Sequence, residues 1–111
     1  ANIELFFLNE DWTLDIKKFK AIVGEDTKLI CVTNPNNPTG MNFDLVDVIE
    51  VAKGVGAYLF VDEVYRGLSH SGNAYSKSAI DFYDKAIVSG SLSKTYSLAG
   101  IRLGWIVASS N

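Results

Sequence analysis

A chain of 111 residues is long enough for one hydrophobic core and too short for a large two-domain enzyme. Its 48% hydrophobic and 12% aromatic content excludes a disordered polypeptide. The balance of 13 Asp and Glu against 10 Lys and Arg, with no basic block to follow a phosphate backbone, leaves nucleic-acid binding without electrostatic support.

Along the chain, apolar runs of strand length alternate with helical patterns, the signature of βαβ units that build a largely parallel sheet. The strand candidates are Ile3 to Leu8, Lys28 to Thr33, Tyr58 to Val61, Ala86 to Ser89 and Arg102 to Ala108. Most are continuous apolar runs, as expected of strands covered on both faces. Between the first two, Asp15 to Val23 carries Ile16, Phe19, Ile22 and Val23 at helical spacing, with Asp15 as cap and Gly24 as stop. Between the next two, Leu45, Val48, Ile49 and Ala52 recur at i, i+3, i+4 and i+7, with Asp44 before them and Gly54 and Gly56 after. A loop is expected over Gly67 to Ser78, with His70 solvated in it, and a short helix over Ser78 to Tyr83. The predicted architecture is one α/β domain over residues 1–111. It is a three-layer αβα arrangement with about five strands, mostly parallel.

The lone Cys31, inside Leu29-Ile30-Cys31-Val32, cannot form an intramolecular disulfide and is read as a small core residue in a reducing compartment. No run approaches the ~20 apolar residues of a membrane span, and Ile3 to Leu8 is too short and acidic for a signal peptide. A soluble cytoplasmic protein is the expectation. Strand-like runs close to both ends also suggest a piece of something longer.

In an open α/β sheet, ligands bind outside the carboxyl ends of the strands. Three polar clusters stand there: Asn34-Pro35-Asn36-Asn37-Pro38-Thr39-Gly40, then Asp62-Glu63-Val64-Tyr65, then Ser91-Leu92-Ser93-Lys94 with Arg102 beyond. Each has a bland reading alone. Asn-Pro and Thr-Gly steps make turns, an acid after a strand caps or is solvated, Tyr65 fits a half-buried site with a wet hydroxyl, and Lys94 and Arg102 fit a charged surface. Together they supply an amine, a carboxylate, a phenol, a carboxamide, a hydroxyl and a guanidinium at successive strand ends. Lys94, between small hydroxyl residues after a buried strand, is then placed to act as a nucleophilic amine.

Asn37-Pro38-Thr39-Gly40, Asp62-Glu63-Val64-Tyr65, and Ser91-Leu92-Ser93-Lys94 with Arg102-Leu103-Gly104-Trp105, in this order, resemble the class I/II aminotransferases, pyridoxal-phosphate enzymes of fold type I. The resemblance covers nearly the whole chain. It implies that Lys94 forms the Schiff base with the aldehyde of pyridoxal 5'-phosphate and later moves a proton. Asp62 would pair with the pyridine nitrogen, which deepens the electron sink of the ring. Asn37 and Tyr65 would donate to the ring 3'-oxygen, and Ser91 and Arg102 would hold the phosphate. It further implies the central part of a large domain with a seven-stranded sheet, its last strand here antiparallel. Amino-acid and 2-oxo-acid substrates, amino transfer through the lysine aldimine and a homodimeric parent also follow from it. Neither a metal nor a membrane partner is expected. A further phosphate-binding turn, a ring stacker, a substrate-carboxylate arginine and a partner subunit lie outside the chain in that family, so turnover by the segment alone is not expected. Ser93, Glu63, Arg66 and Trp105 are read as packing, structural or surface residues.

Three other readings share parts of this pattern. Ser91 to Lys94 satisfies S-x-x-K of serine acyl enzymes, but the S-D-N and K-T-G partners do not occur. A ligand-sensing domain of a transcription regulator and a carbon–sulfur lyase would both keep the cofactor residues.

Overall fold

The computed structural model describes residues 2–68 and 75–110; the expectation for His70 and part of the predicted loop lie outside the described residues. The chain order is α1 (Ile16–Ile22), β1 (Leu29–Thr33), α2 (Leu45–Val55), β2 (Tyr58–Asp62), a 3-10 turn (Ala79–Asp81), β3 (Ala86–Ser91), a second 3-10 turn (Ala99–Ile101) and β4 (Gly104–Ala108). The four strands form one sheet in the order β1-β2-β3-β4. The first three are parallel, with Val32 beside Val61 and Val61 beside Val88, and β4 returns antiparallel with Gly104 beside Ser91.

Capping chemistry sets the helix ends where the sequence pattern puts them. The Asp15 carboxylate accepts from the backbone N–H groups of Lys17 and Lys18 at 3.0 and 3.1 Å, satisfying donors that α1 leaves unpaired. Those bonds, the one to Lys18 foremost, hold the Asp15 carboxyl below its ordinary pKa. Asp44 caps α2 through the N–H of Val46 at 3.0 Å. At the far end Gly56 adopts φ +70°, a left-handed conformation that glycine takes without steric cost, and its N–H closes back onto the Ala52 and Lys53 carbonyls.

The apolar stripe of α2 meets one face of the sheet. Val48, Ile49 and Ala52 pack with Leu59, Val61, Ala86 and Val88 in a single core that also takes in Phe19 from α1. Leu59, Val48 and Val61 are its largest fully enclosed side chains. At about 25 cal/mol per Å² of apolar area removed from water, each such residue contributes roughly 1.5–3 kcal/mol. Tyr83 enters from the end of the first 3-10 turn, and its buried hydroxyl donates to the Ala57 carbonyl at 2.7 Å. That bond joins the start of β2 to the segment leading into β3.

The described helices cover one face, so two of the three expected layers are present among the described residues. On the other face Leu29, Tyr58 and Ile106 remain exposed. Cys31 lies there too, because strand side chains alternate and Ile30 takes the inward position. The expected core cysteine is therefore an exposed residue, although partial burial of its sulfur pushes the thiol pKa up.

Three boundaries also differ from expectation. Ile3 to Leu8 forms no strand: Ile3, Leu5 and Phe7 are exposed, while Phe6 meets Phe19 edge-on at 5.3 Å between ring centroids. Alternation is present there, but the run lies against α1 rather than beside a sheet edge, where it would find ladder partners. The helix expected over Ser78 to Tyr83 is a single 3-10 turn, Ala79–Asp81, closed by the Phe82 N–H on the Ala79 carbonyl. The last strand starts at Gly104, not Arg102, since Arg102 sits at φ +58° in the left-handed region and cannot join an extended ladder.

Candidate functional site

The parallel register gathers the three polar clusters at one edge. Asp62 ends β2 level with Ser89 of β3 and Thr33 of β1, and Ser91 ends β3 opposite the first residue of β4. Because β4 runs the other way, its N-terminal approach brings Arg102 to the same edge.

Asp62 is half-buried and fixed from two sides. Its Oδ1 accepts from the Ser89 hydroxyl at 2.8 Å and from the Val64 N–H at 3.2 Å. Both bonds fall on one carboxylate oxygen, so the second, Oδ2, can accept from a ligand. Ser89 had no role in the sequence reading. The signal for it is the parallel register itself, which sets a small hydroxyl residue level with Asp62 on the same face.

Asn37 and Tyr65, separated by 28 positions in sequence, meet directly: the Asn37 amide Nδ2 donates to the Tyr65 hydroxyl at 2.7 Å. The loop that carries Asn37 is held by Asn34, which is buried between strand end and loop. Its amide donates to the Phe43 carbonyl and accepts from the Phe43 N–H, both at 3.1 Å, and its own N–H extends the ladder to the Asp62 carbonyl. The Asn34–Pro35 and Asn37–Pro38 peptide bonds are both cis. Asn34, read from sequence as a turn former, is thus the clasp of the loop.

Lys94 stands over the face of Tyr65, with Nζ 5.8 Å from the ring centroid, within reach of a cation–π contact. Among the described residues it is in no ion pair with a carboxylate. The neighbouring Thr95 hydroxyl donates to the Arg66 carbonyl at 2.8 Å, tying the lysine loop to the turn that bears Tyr65. Lys94 and Asn37 are exposed, and Tyr65, Asp62 and Ser91 are half-buried, so the cluster opens to solvent.

Ser91 and Arg102 share the edge through the β3–β4 register, but their side chains bond elsewhere. Ser91 Oγ accepts from the Ser93 N–H at 3.2 Å, and Arg102 donates through Nη1 to the Ala99 carbonyl at 3.0 Å. Trp105 packs across β3 at Gly90, where an added Cβ would lie 2.6 Å from the indole ring. Among the described residues no cluster of His, Cys, Asp and Glu has the makings of a metal site, and no helix is long and apolar enough to cross a membrane.

Sequence reasoning also passed over a buried carboxylate and its partner Ser78. Glu63, read as structural or surface, is 7% exposed. Its carboxylate lies 2.8 and 2.9 Å from the Ser78 hydroxyl, accepts from the Ala79 N–H at 2.8 Å, and faces Arg66 at 3.9 Å.

A mostly parallel α/β sheet thus carries an amine, a carboxylate, a phenol–carboxamide pair and a guanidinium along one edge. The chain belongs to the aminotransferase class I and II family, whose model matches residues 1–111. It is 37% identical over 105 residues to a histidinol-phosphate aminotransferase from Thermoanaerobacter sp., covering 94% of this chain and 29% of that protein. Among solved structures it resembles a PLP-dependent aminotransferase from Streptococcus suis 89-1591 with a TM-score of 0.89 and 43% identity, covering 99% of this chain and 30% of the other. A PLP-bound C-S lyase from Staphylococcus hominis matches with a TM-score of 0.79 and 27% identity over 94% of this chain and 29% of the other. The chain thus spans under a third of the length of these relatives.

Proposed function

We propose that the chain is the cofactor-binding part of the large domain of a homodimeric aminotransferase, moving an amino group between an amino acid and a 2-oxo acid with pyridoxal 5'-phosphate. The carrying observation is the donor set at the strand edge, where Asn37 meets Tyr65 at 2.7 Å beneath the Lys94 amine while Asp62 is fixed through one oxygen.

This set fits the cofactor group by group. The Asp62 carboxylate, pinned at Oδ1, offers Oδ2 to the N–H of a pyridinium ring. The Asn37–Tyr65 pair supplies donors for an oxygen on that ring, since the amide keeps a second hydrogen and the phenol its own. Arg102 and Ser91 would hold a phosphate, the guanidinium through N–H donors beyond the one on the Ala99 carbonyl and the Ser91 hydroxyl through its own O–H, since its oxygen only accepts from Ser93. When bound, the cofactor supplies an aldehyde and an electron-withdrawing ring. Lys94 contributes the amine that engages the aldehyde and carries a proton at the substrate Cα. That amine lies over the Tyr65 ring, 5.8 Å from its centroid.

In the longer protein that bears this segment, an amino acid and a 2-oxo acid should exchange their amino group. Lys94→Ala should abolish the exchange, and Asp62→Ala should release the cofactor on gel filtration. Full exchange by the Lys94→Ala protein would refute the proposal. The likeness to a C-S lyase favours a second reading with the same edge and a different bond broken. Release of a thiol and a 2-oxo acid from a sulfur-bearing amino acid, without amino transfer, would select it.

A further inference from the structure

We propose that Glu63 is a positioning residue for the strand-edge site, acting through the turn that carries Asp62 and Tyr65 and through the loop that carries Lys94. The inference rests on the cofactor reading above and assigns a part of the machinery that lies one layer beneath it.

A carboxylate with 7% exposure must be compensated by partners, because burial strips it of water. Glu63 has three. The Ser78 hydroxyl and the Ala79 N–H bond it at 2.8–2.9 Å, and the Arg66 guanidinium adds an opposite charge at 3.9 Å. These partners come from two directions, the segment entering the first 3-10 turn and the turn following β2, so the carboxylate links two pieces of chain 15 positions apart.

The backbone of the same residue is equally committed. The Glu63 N–H donates to the Ser89 carbonyl at 2.9 Å, and its carbonyl accepts from the Arg66 N–H at 2.8 Å. Glu63 therefore fixes the exit of β2 to β3 at the level where Ser89 also grips Asp62. It then starts the turn whose third residue is Tyr65. Arg66 carries the constraint onward. Its Nε donates to the Ser76 carbonyl at 2.6 Å, and its carbonyl accepts from Thr95, the neighbour of Lys94, at 2.8 Å.

A path of hydrogen bonds and one charge contact thus runs from Ser78 and Ala79 through Glu63 and Arg66 to Thr95. The two ends of the cofactor site, the Asp62–Tyr65 turn and the Lys94 loop, hang from it. A carboxylate used only to fill space would not need both a hydroxyl and a guanidinium on separate segments. Two variants probe it with little change of volume: Glu63→Gln, which keeps an acceptor but loses the charge facing Arg66, and Ser78→Ala, which leaves Glu63 in place with one bond fewer.

The test combines amide hydrogen exchange with borohydride trapping of pyridoxal 5'-phosphate, mapped to individual lysines by peptide mass spectrometry. In Glu63→Gln the amides of Val64, Arg66 and Leu68 should exchange about tenfold faster, while those of Val48 to Ala52 in α2 keep their wild-type rates. Trapping at Lys94 should fall relative to Lys77 and Lys85, and Ser78→Ala should show the same pattern more weakly. A purely structural role would slow or speed all protected amides together and leave the lysine preference unchanged, and that result would overturn the inference. So would wild-type exchange and wild-type trapping in both variants, with the cofactor reading left standing. Trapping on Lys77 or Lys85 in preference to Lys94 in the wild-type chain would overturn the cofactor reading, and the positioning role with it.

Discussion

The covered face of the sheet and its carboxyl edge are built from opposite materials. Under α2, Val48, Ala52, Leu59 and Val61 are sealed from water within one apolar cluster. At the edge, Asn37, Lys94 and Arg102 are exposed, and Asp62, Tyr65 and Ser91 are half-buried, each side chain held by one or two polar contacts. On the proposed reading, stability and ligand chemistry therefore reside in different residues of the same strands. Val61 faces the core and Asp62, its successor, faces the site. Substitutions should separate the two properties.

The largest expected effect lies in the core. Leu59→Ala should lower the free energy of unfolding by about 3 kcal/mol, because it removes a fully buried side chain and leaves a cavity between α2 and β2. Urea unfolding would measure it; a loss under about 1 kcal/mol would mean that the core closes over the gap. Tyr83→Phe should cost about 1 kcal/mol through the lost bond to the Ala57 carbonyl, again read by urea unfolding. Neither change touches the edge, so folded molecules of both should trap pyridoxal 5'-phosphate as the wild type does.

A smaller effect should follow pH at the start of α1. The Asp15 carboxyl is held below its ordinary pKa by the N–H groups it caps. Its contribution is complete above the unfolded-state value of about 3.9 and is lost as pH falls through the lower folded value. Circular dichroism across the acid range should show this loss in the wild type and not in Asp15→Asn, which caps without titrating.

Smallest in stability, and opposite in ligand chemistry, are the edge variants. Tyr65→Phe and Lys94→Ala should shift unfolding by less than about 0.5 kcal/mol, since these polar tips are not part of the core. Cofactor capture should nonetheless fall in Tyr65→Phe and vanish at position 94 in Lys94→Ala. A core-sized loss of stability in either variant would erase the division between face and edge.

The sequence disclosed these two regions unequally. Helical spacing in α2, with Asp44 and Gly56 at its ends, was legible because period and caps agree. The order of β1 to β3 was legible for the same reason, as was the set of polar residues at their ends. Ile3 to Leu8 was misread because apolar alternation predicts an extended chain but not a ladder partner. Cys31 was misread because a continuous apolar run hides which residues point inward until the helices choose a face. Arg102 was placed in a strand because nothing in its type signals a left-handed conformation. Glu63 stayed hidden for a related reason. Its partners Ser78 and Ala79 lie 15 and 16 positions away across a loop, and only the folded register brings them to a carboxylate that reads as surface charge.

The central claim is that the strand edge makes Lys94, among ten basic residues, the amine that takes the cofactor. Borohydride reduction of the chain with pyridoxal 5'-phosphate, followed by peptide mass mapping, tests it most directly. The predicted result is one dominant pyridoxyl group on Lys94, lost in Lys94→Ala without transfer to a neighbour. Equal labelling of exposed lysines such as Lys18 and Lys53, with Lys94 no better than they are, would contradict it.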